Sequence, residues 1–150
     1  YQTAKEQKQS FEALLGGALE EECSLDIVQA VHSEIGSMIQ MHKESKVDEP
    51  LMLGKAEVQA VLQQSGVSEQ ALSRFSVDYD DAFGFETQLH PKNVIDQKKF
   101  EIKTPDVTIK VNPERSDLIE TRVIGGVKYI LICADESVEV NGVSINIKEA

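Results

Sequence analysis

The sequence has no tryptophan, three tyrosines, five phenylalanines and two cysteines among its 150 residues. Few aromatics do not mean disorder, because 41% of the residues are hydrophobic and 27% charged, the proportions of a globular chain and not of an acidic tail. A chain of this length forms one domain by default and buries roughly 70% of its unfolded surface on folding. Long apolar runs are also missing. The longest, Tyr129 to Ala134, has six residues, and a spanning helix needs about 20. Positive charge is scarce: 15 Lys and Arg face 26 Asp and Glu, a net charge of −11. That excess repels polyanions and disfavours nucleic acid as a partner.

Cys23 and Cys133 lie far apart, with no CxxC pair and no disulfide framework, so both are expected as buried free thiols in a reducing compartment. No basic, apolar signal segment opens the chain, which points to the cytoplasm. It begins with Tyr1 and not methionine, so a C-terminal piece of a longer protein is the expectation.

What is present is unevenly distributed. Residues 1–91 carry a net charge of −10 and residues 92–150 a net charge of −1. Hydrophobic spacing changes near the same point, from helical to alternating. The expected organisation is an acidic helical part, 1–91, and an antiparallel sheet part, 92–150, packed as one unit.

About four helices are predicted. The first spans Thr3 to Leu15, with Gly16 and Gly17 breaking or bending it. Ser24 caps the second, whose apolar positions Leu25, Val28, Val31, Ile35, Met38 and Ile39 recur at three and four residues and which ends near Lys43. A solvated linker, Glu44 to Pro50, follows. The third helix runs from Lys55 to Ser65, with Glu57 placed to bond back to its start and Gly66 ending it. Ser68 caps the fourth, which stops at Gly84.

From Asn93 onward about six strands are predicted in a meander. Phe100 to Lys103 and Val107 to Val111 alternate apolar and polar residues. Leu118 to Ile124 and Val127 to Cys133 flank Gly125-Gly126, and Val138 to Val140 and Val143 to Ile147 flank Asn141-Gly142, a strong hairpin signal. Tyr129 to Cys133 is apolar throughout, which predicts a central strand covered on both faces. Helices followed by strands argue for α+β.

Chemistry-bearing patterns are few. Leu62 to Phe75, turning at Gly66-Val67-Ser68, resembles part of a helix-turn-helix. Its second helix, Glu69 to Phe83, opposes Arg74 with four carboxylates, whereas phosphate contacts need cations. A plain helical hairpin is favoured. The acidic stretch from Asp78 fails as a calcium loop, because Ala82 and Leu89 stand where ligands are required and Gly84 is one place late. His32, His42 and His90 have no metal spacing, and the HExxH, GxSxG, GxxxxGK[ST] and GxGxxG motifs do not occur. No cofactor, metal or catalytic residue is therefore expected, and the balance leans away from an enzyme.

Two candidate sites remain. Phe75, Tyr79 and Phe83 form an aromatic stripe, ordinarily core and alternatively a groove for a protein partner. Glu114, Arg115, Asp117, Glu120 and Arg122 could hold an anion if gathered in a cleft, although a surface turn with cross-strand ion pairs is the simpler expectation.

Three stretches, LLGGALEEECSLDIVQAVH (Leu14 to His32), KFEIKTPDVTIKVNPERSDLIETRVIGGVKYILI (Lys99 to Ile132) and VEVNGV (Val138 to Val143), resemble the C-terminal part of a bacterial family known as domain of unknown function 4317. The resemblance covers nearly the whole chain. It implies an intracellular bacterial protein whose complete form is longer at the N-terminus, and it brings no activity and no site residues. The function expected is a non-catalytic protein-interaction or assembly domain acting through its acidic helical part, with a protein partner or self-association and no membrane. The alternatives are the ligand-binding fragment of an enzyme whose catalytic part precedes it, and a DNA-associated domain using the Gly66-Val67-Ser68 hairpin.

Overall fold

The computed structural model describes residues 2–149. The chain is α+β, helices first and six antiparallel strands after them, and it divides into two compact units, Tyr1–Pro113 and Glu114–Ala150. The division falls at Pro113 and not near residue 91. The first two strands therefore belong with the helices.

In the first unit, helix α1 (Ala4–Leu19) opens with a capping box: Thr3 Oγ1 accepts from the Glu6 N–H, and the Glu6 carboxylate accepts from the Thr3 N–H. It runs straight through Gly16 and Gly17 and does not break there. Each glycine costs a helix about 1 kcal/mol, but Leu14, Leu15, Ala18 and Leu19 are buried on both sides of the pair, and that packing outweighs the local preference. Helix α2 (Leu25–Ser45) is capped by Ser24, whose hydroxyl accepts from the Ile27 N–H. Val31, Ile35 and Ile39 form its buried face, while Val28 is exposed.

Helix α3 (Lys55–Gln64) starts at Gly54, which the Glu57 carboxylate approaches without the expected capping hydrogen bond. It ends in a Schellman turn: the Gly66 N–H donates to Gln63 O and the Val67 N–H to Leu62 O, with Gly66 at φ 98°. Ser68 then caps helix α4 (Glu69–Phe83) by accepting from the Ala71 N–H. Helix α1 packs on α4, α4 on α3 and α3 on α2. Their buried faces form one core, closed by Leu53, Leu89, Val94 and Ile95. The hairpin β1 (Phe100–Lys103) and β2 (Thr108–Val111) completes this unit.

The second unit holds two more hairpins, β3 (Ile119–Ile124) with β4 (Val127–Ile132) and β5 (Val138–Val140) with β6 (Val143–Ile145). The six strands thus form three separate two-stranded sheets and not one meander sheet. Strand β4 is not central. Among the described residues it pairs with β3 alone, and Tyr129 and Ile132 are 44% and 56% exposed. Cys133, expected to be buried, is exposed at its end, while Cys23 is half-buried; both thiols are free. Among the described residues no helix is long and apolar enough to cross a membrane.

Candidate functional site

The hairpins of the second unit owe their form to their turns. Gly125 and Gly126 have φ of 56° and 78°, Asn141 and Gly142 of 50° and 80°. Two successive positive φ values make the type I′ geometry that matches strand twist. That register sets the faces. In β5–β6, Val138 stands opposite Ile145 and Val140 opposite Val143, so four apolar side chains share one face and Glu139 and Ser144 share the other. Val140, Val143 and Ile145 are exposed on that apolar face. In β3–β4 both faces are mixed: Ile119, Val123, Ile130 and Ile132 lie on one, Ile124, Val127, Tyr129 and Leu131 on the other. Among the described residues of this unit only Ser116 and Ile119 are buried. A lone two-stranded ribbon is marginal in water unless something covers its apolar face.

The polar cluster lies in the same unit, on its surface. Glu114 is exposed in the 3-10 turn Pro113–Leu118. Arg115 Nε lies 3.1 Å from Asp117 Oδ1, and Arg122 Nη2 lies 2.6 Å from Glu120 Oε1. Each guanidinium meets a carboxylate two residues away in the chain, so these exposed ion pairs form within one segment and not across strands as expected, the residues opposite Glu120 and Arg122 being Leu131 and Tyr129. The hydrogen bond from Arg115 holds the Asp117 carboxyl below the usual carboxylate range. A general acid needs the opposite shift.

The aromatic stripe belongs to the core. Phe75 and Tyr79 are fully buried and Phe83 partly so, with successive ring centroids 5.9 Å and 5.0 Å apart. Nothing of Phe75 or Tyr79 is open to a partner, because this face is what α4 presents to the other helices. The Tyr79 hydroxyl donates to Thr87 O, and burial, assisted by Glu57 and Asp80, pushes its pKa up to about 12.

The remaining singled-out residues are used in holding the first unit together. Arg74 Nε donates to Ala18 O across 3.0 Å, so the one cation of the helix-turn-helix-like segment is committed inward. Lys55 Nζ lies 3.0 Å from both carboxylate oxygens of Asp80. His32 Nε2 sits 2.9 Å from Asp96 O and 3.1 Å from Lys99 O, and must donate because carbonyls only accept. Its ring also meets Phe100 edge-on at 5.5 Å. These hydrogen bonds join residues 25 to 67 positions apart in sequence, which is why no local pattern reveals them.

A cavity of about 510 Å³ opens between α1, α2 and the start of β1, its walls formed by Phe11, Leu15, Val31 and Phe100 and its rim by Lys8 and Glu101. Cys23 also lines it, but burial raises the thiol pKa and leaves it a poor nucleophile. No group of three or more His, Cys, Asp or Glu able to hold a metal ion occurs among the described residues.

No curated protein and no solved structure matches the chain. A family model described as a domain of unknown function, DUF4317, matches residues 1–143, and the chain belongs to that family.

Proposed function

We propose that the chain is a non-catalytic protein-interaction or assembly domain whose contact surface is the pair of hairpins β3–β4 and β5–β6. The observation that carries this is the apolar face Val138, Val140, Val143 and Ile145, set by register on one side of a ribbon and largely exposed. The paired strands leave open edges in two-stranded sheets, and a polypeptide that adds a strand there satisfies backbone groups and covers apolar side chains together. The surface therefore shifts from the acidic helices expected at first to the hairpins. Two free thiols support a reducing, cytoplasmic setting for the complex.

The test is light scattering and crosslinking of the whole chain, with a pull-down from its own cell extract. Assembly or capture lost in Val140→Lys and Val143→Lys, with the helical circular dichroism and melting of the first unit unchanged, supports the reading. A strict monomer that retrieves nothing overturns it.

A further inference from the structure

We propose that a cavity between the end of α2 and the Pro91–Asn93 turn is a binding site for a small organic oxyanion, independent of the hairpin surface. The cavity measures about 440 Å³, within the range of small-molecule sites. His42, Lys43, His90, Lys92 and Asn93 supply its polar lining, and no Asp or Glu is among its lining residues. That runs against the composition, since carboxylates outnumber Lys and Arg by 26 to 15 in the chain.

The cations there are not used up by the fold. Neither Lys43 nor Lys92 has an ion-pair partner among the described residues, unlike Lys55, Arg74, Lys99, Arg115 and Arg122. Asn93 donates one amide N–H to Gln7 Oε1 at 2.9 Å and keeps the second. His42 acts differently, because its Nε2 donates to Glu49 O at 2.6 Å and ties down the segment leading to Pro50. The groups left to meet an anion are Lys43, Lys92, His90 and the Asn93 amide.

A helix C-terminus ordinarily repels anions, and Lys43 lies in the last turn of α2. Two of the carbonyls there are already satisfied: Ser45 Oγ donates to His42 O at 2.7 Å, and the Lys46 N–H to Lys43 O at 3.4 Å. The cavity is also preformed. Leu53 and Leu89 exchange both backbone hydrogen bonds, at 2.8 Å and 2.7 Å, which fixes the segment carrying Leu51 beside the one carrying His90. Prolines 50 and 91 stiffen those two segments. Ile39 and Leu51 add an apolar wall, so the ligand expected is a carboxylate or phosphate monoester on a compact apolar body. Lysines act as point charges and lack the fork geometry of arginine, so both oxyanions share the chemistry that the site recognises.

The test is a titration of the isotope-labelled chain followed by amide NMR shifts, with phenyl phosphate, benzoate and inorganic phosphate as probes and benzyl alcohol as the neutral control. Saturable shifts centred on Leu51, His90, Lys92 and Asn93 are expected with at least one of the anions, the tighter of phenyl phosphate and benzoate telling which oxyanion is preferred. Affinity should fall about 10-fold in Lys92→Gln and in Lys43→Gln, the loss of one charged contact, and stay unchanged in Lys128→Gln. The proposal is overturned if no anion gives saturable shifts there, if benzyl alcohol shifts the same amides equally, or if the Lys43→Gln, Lys92→Gln double variant binds like the parent.

Discussion

Arg74 Nε on α4 donates to the Ala18 carbonyl in the last turn of α1, 3.0 Å away, while just beyond α1 the Glu22 carboxylate accepts from the Ser68 N–H at 2.8 Å and the Ser68 hydroxyl at 2.6 Å. A cation meets the negative end of one helix and an anion meets the positive end of its neighbour. The two contacts clasp α1 to α4 at one end of their interface.

The Arg74 half of the clasp predicts a loss of about 1–3 kcal/mol in Arg74→Ala, the range for a hydrogen bond from a charged donor. Arg74→Lys should recover only part of it, because the bond is made by Nε and not by the end of the side chain. Urea denaturation with unchanged slope checks both.

The Glu22 half predicts a pH dependence. The Ser68 hydroxyl first, and its N–H second, hold the Glu22 carboxyl below its ordinary value of 4.5. A carboxyl lowered on folding stabilises above its unfolded pKa, and that contribution disappears as pH falls through the lowered value. Glu22→Gln should flatten this acid limb of the stability curve, and Ser68→Ala should do the same while also losing a helix cap worth about 1 kcal/mol.

Tyr79 makes the opposite limb. Its pKa rises from 10.0 to about 12 on burial, so the unfolded chain ionises first, and stability held below pH 10 falls between those two values. The loss is at most about 2–3 kcal/mol. Tyr79→Phe should cost about 1 kcal/mol at neutral pH, by removing the bond to Thr87 O, and should flatten the alkaline slope. Guanidinium melts from pH 8 to pH 12, with tyrosinate absorbance in parallel, read both effects.

The glycines separate local from long-range control. Gly66 sits at φ 98° in the Schellman turn, whereas a Cβ on Gly16 or Gly17 meets nothing within 4 Å. Gly66→Ala should therefore destabilise by about 1 kcal/mol or more, and Gly16→Ala and Gly17→Ala should each stabilise by about 0.5–1 kcal/mol. A pair of alanines that lowers the melting temperature contradicts the continuous α1.

The same contrast explains what was legible beforehand. Caps and turns are decided by a few adjacent residues, so Ser24, Ser68, Gly66 and the Asn141-Gly142 and Gly125-Gly126 turns read correctly from the chain. The passage of α1 through Gly16-Gly17 depends on α4, and the pairing of hairpins into a sheet depends on strands far apart, so neither is written in periodicity. Tyr129 to Cys133 shows the limit. An apolar run says that a strand needs covering, and not that its own chain supplies the cover. Of the candidate site, the exposed turn was legible but its ion pairs were expected across strands, whereas Arg115–Asp117 and Glu120–Arg122 pair two residues apart within one segment, and the cavity joining Lys43 to Lys92 follows from no local pattern.

Cys133 extends this to reactivity. It is exposed beyond β4, which by itself predicts rapid alkylation. Its Sγ, however, lies 3.4 Å from Asp135 Oδ2, and the hydrogen bond to that carboxylate, with its charge, raises the thiol pKa. The thiolate is the reactive form, so Cys133 should alkylate with iodoacetamide more slowly than its exposure suggests at neutral pH. Asp135→Asn removes the charge and should speed the reaction, whereas Glu139→Gln should not. Half-buried Cys23, raised by burial alone, should be indifferent to both substitutions, and peptide mass spectrometry of the time course distinguishes the two sites. Equal Cys133 rates in the parent and in Asp135→Asn contradict the control assigned to Asp135.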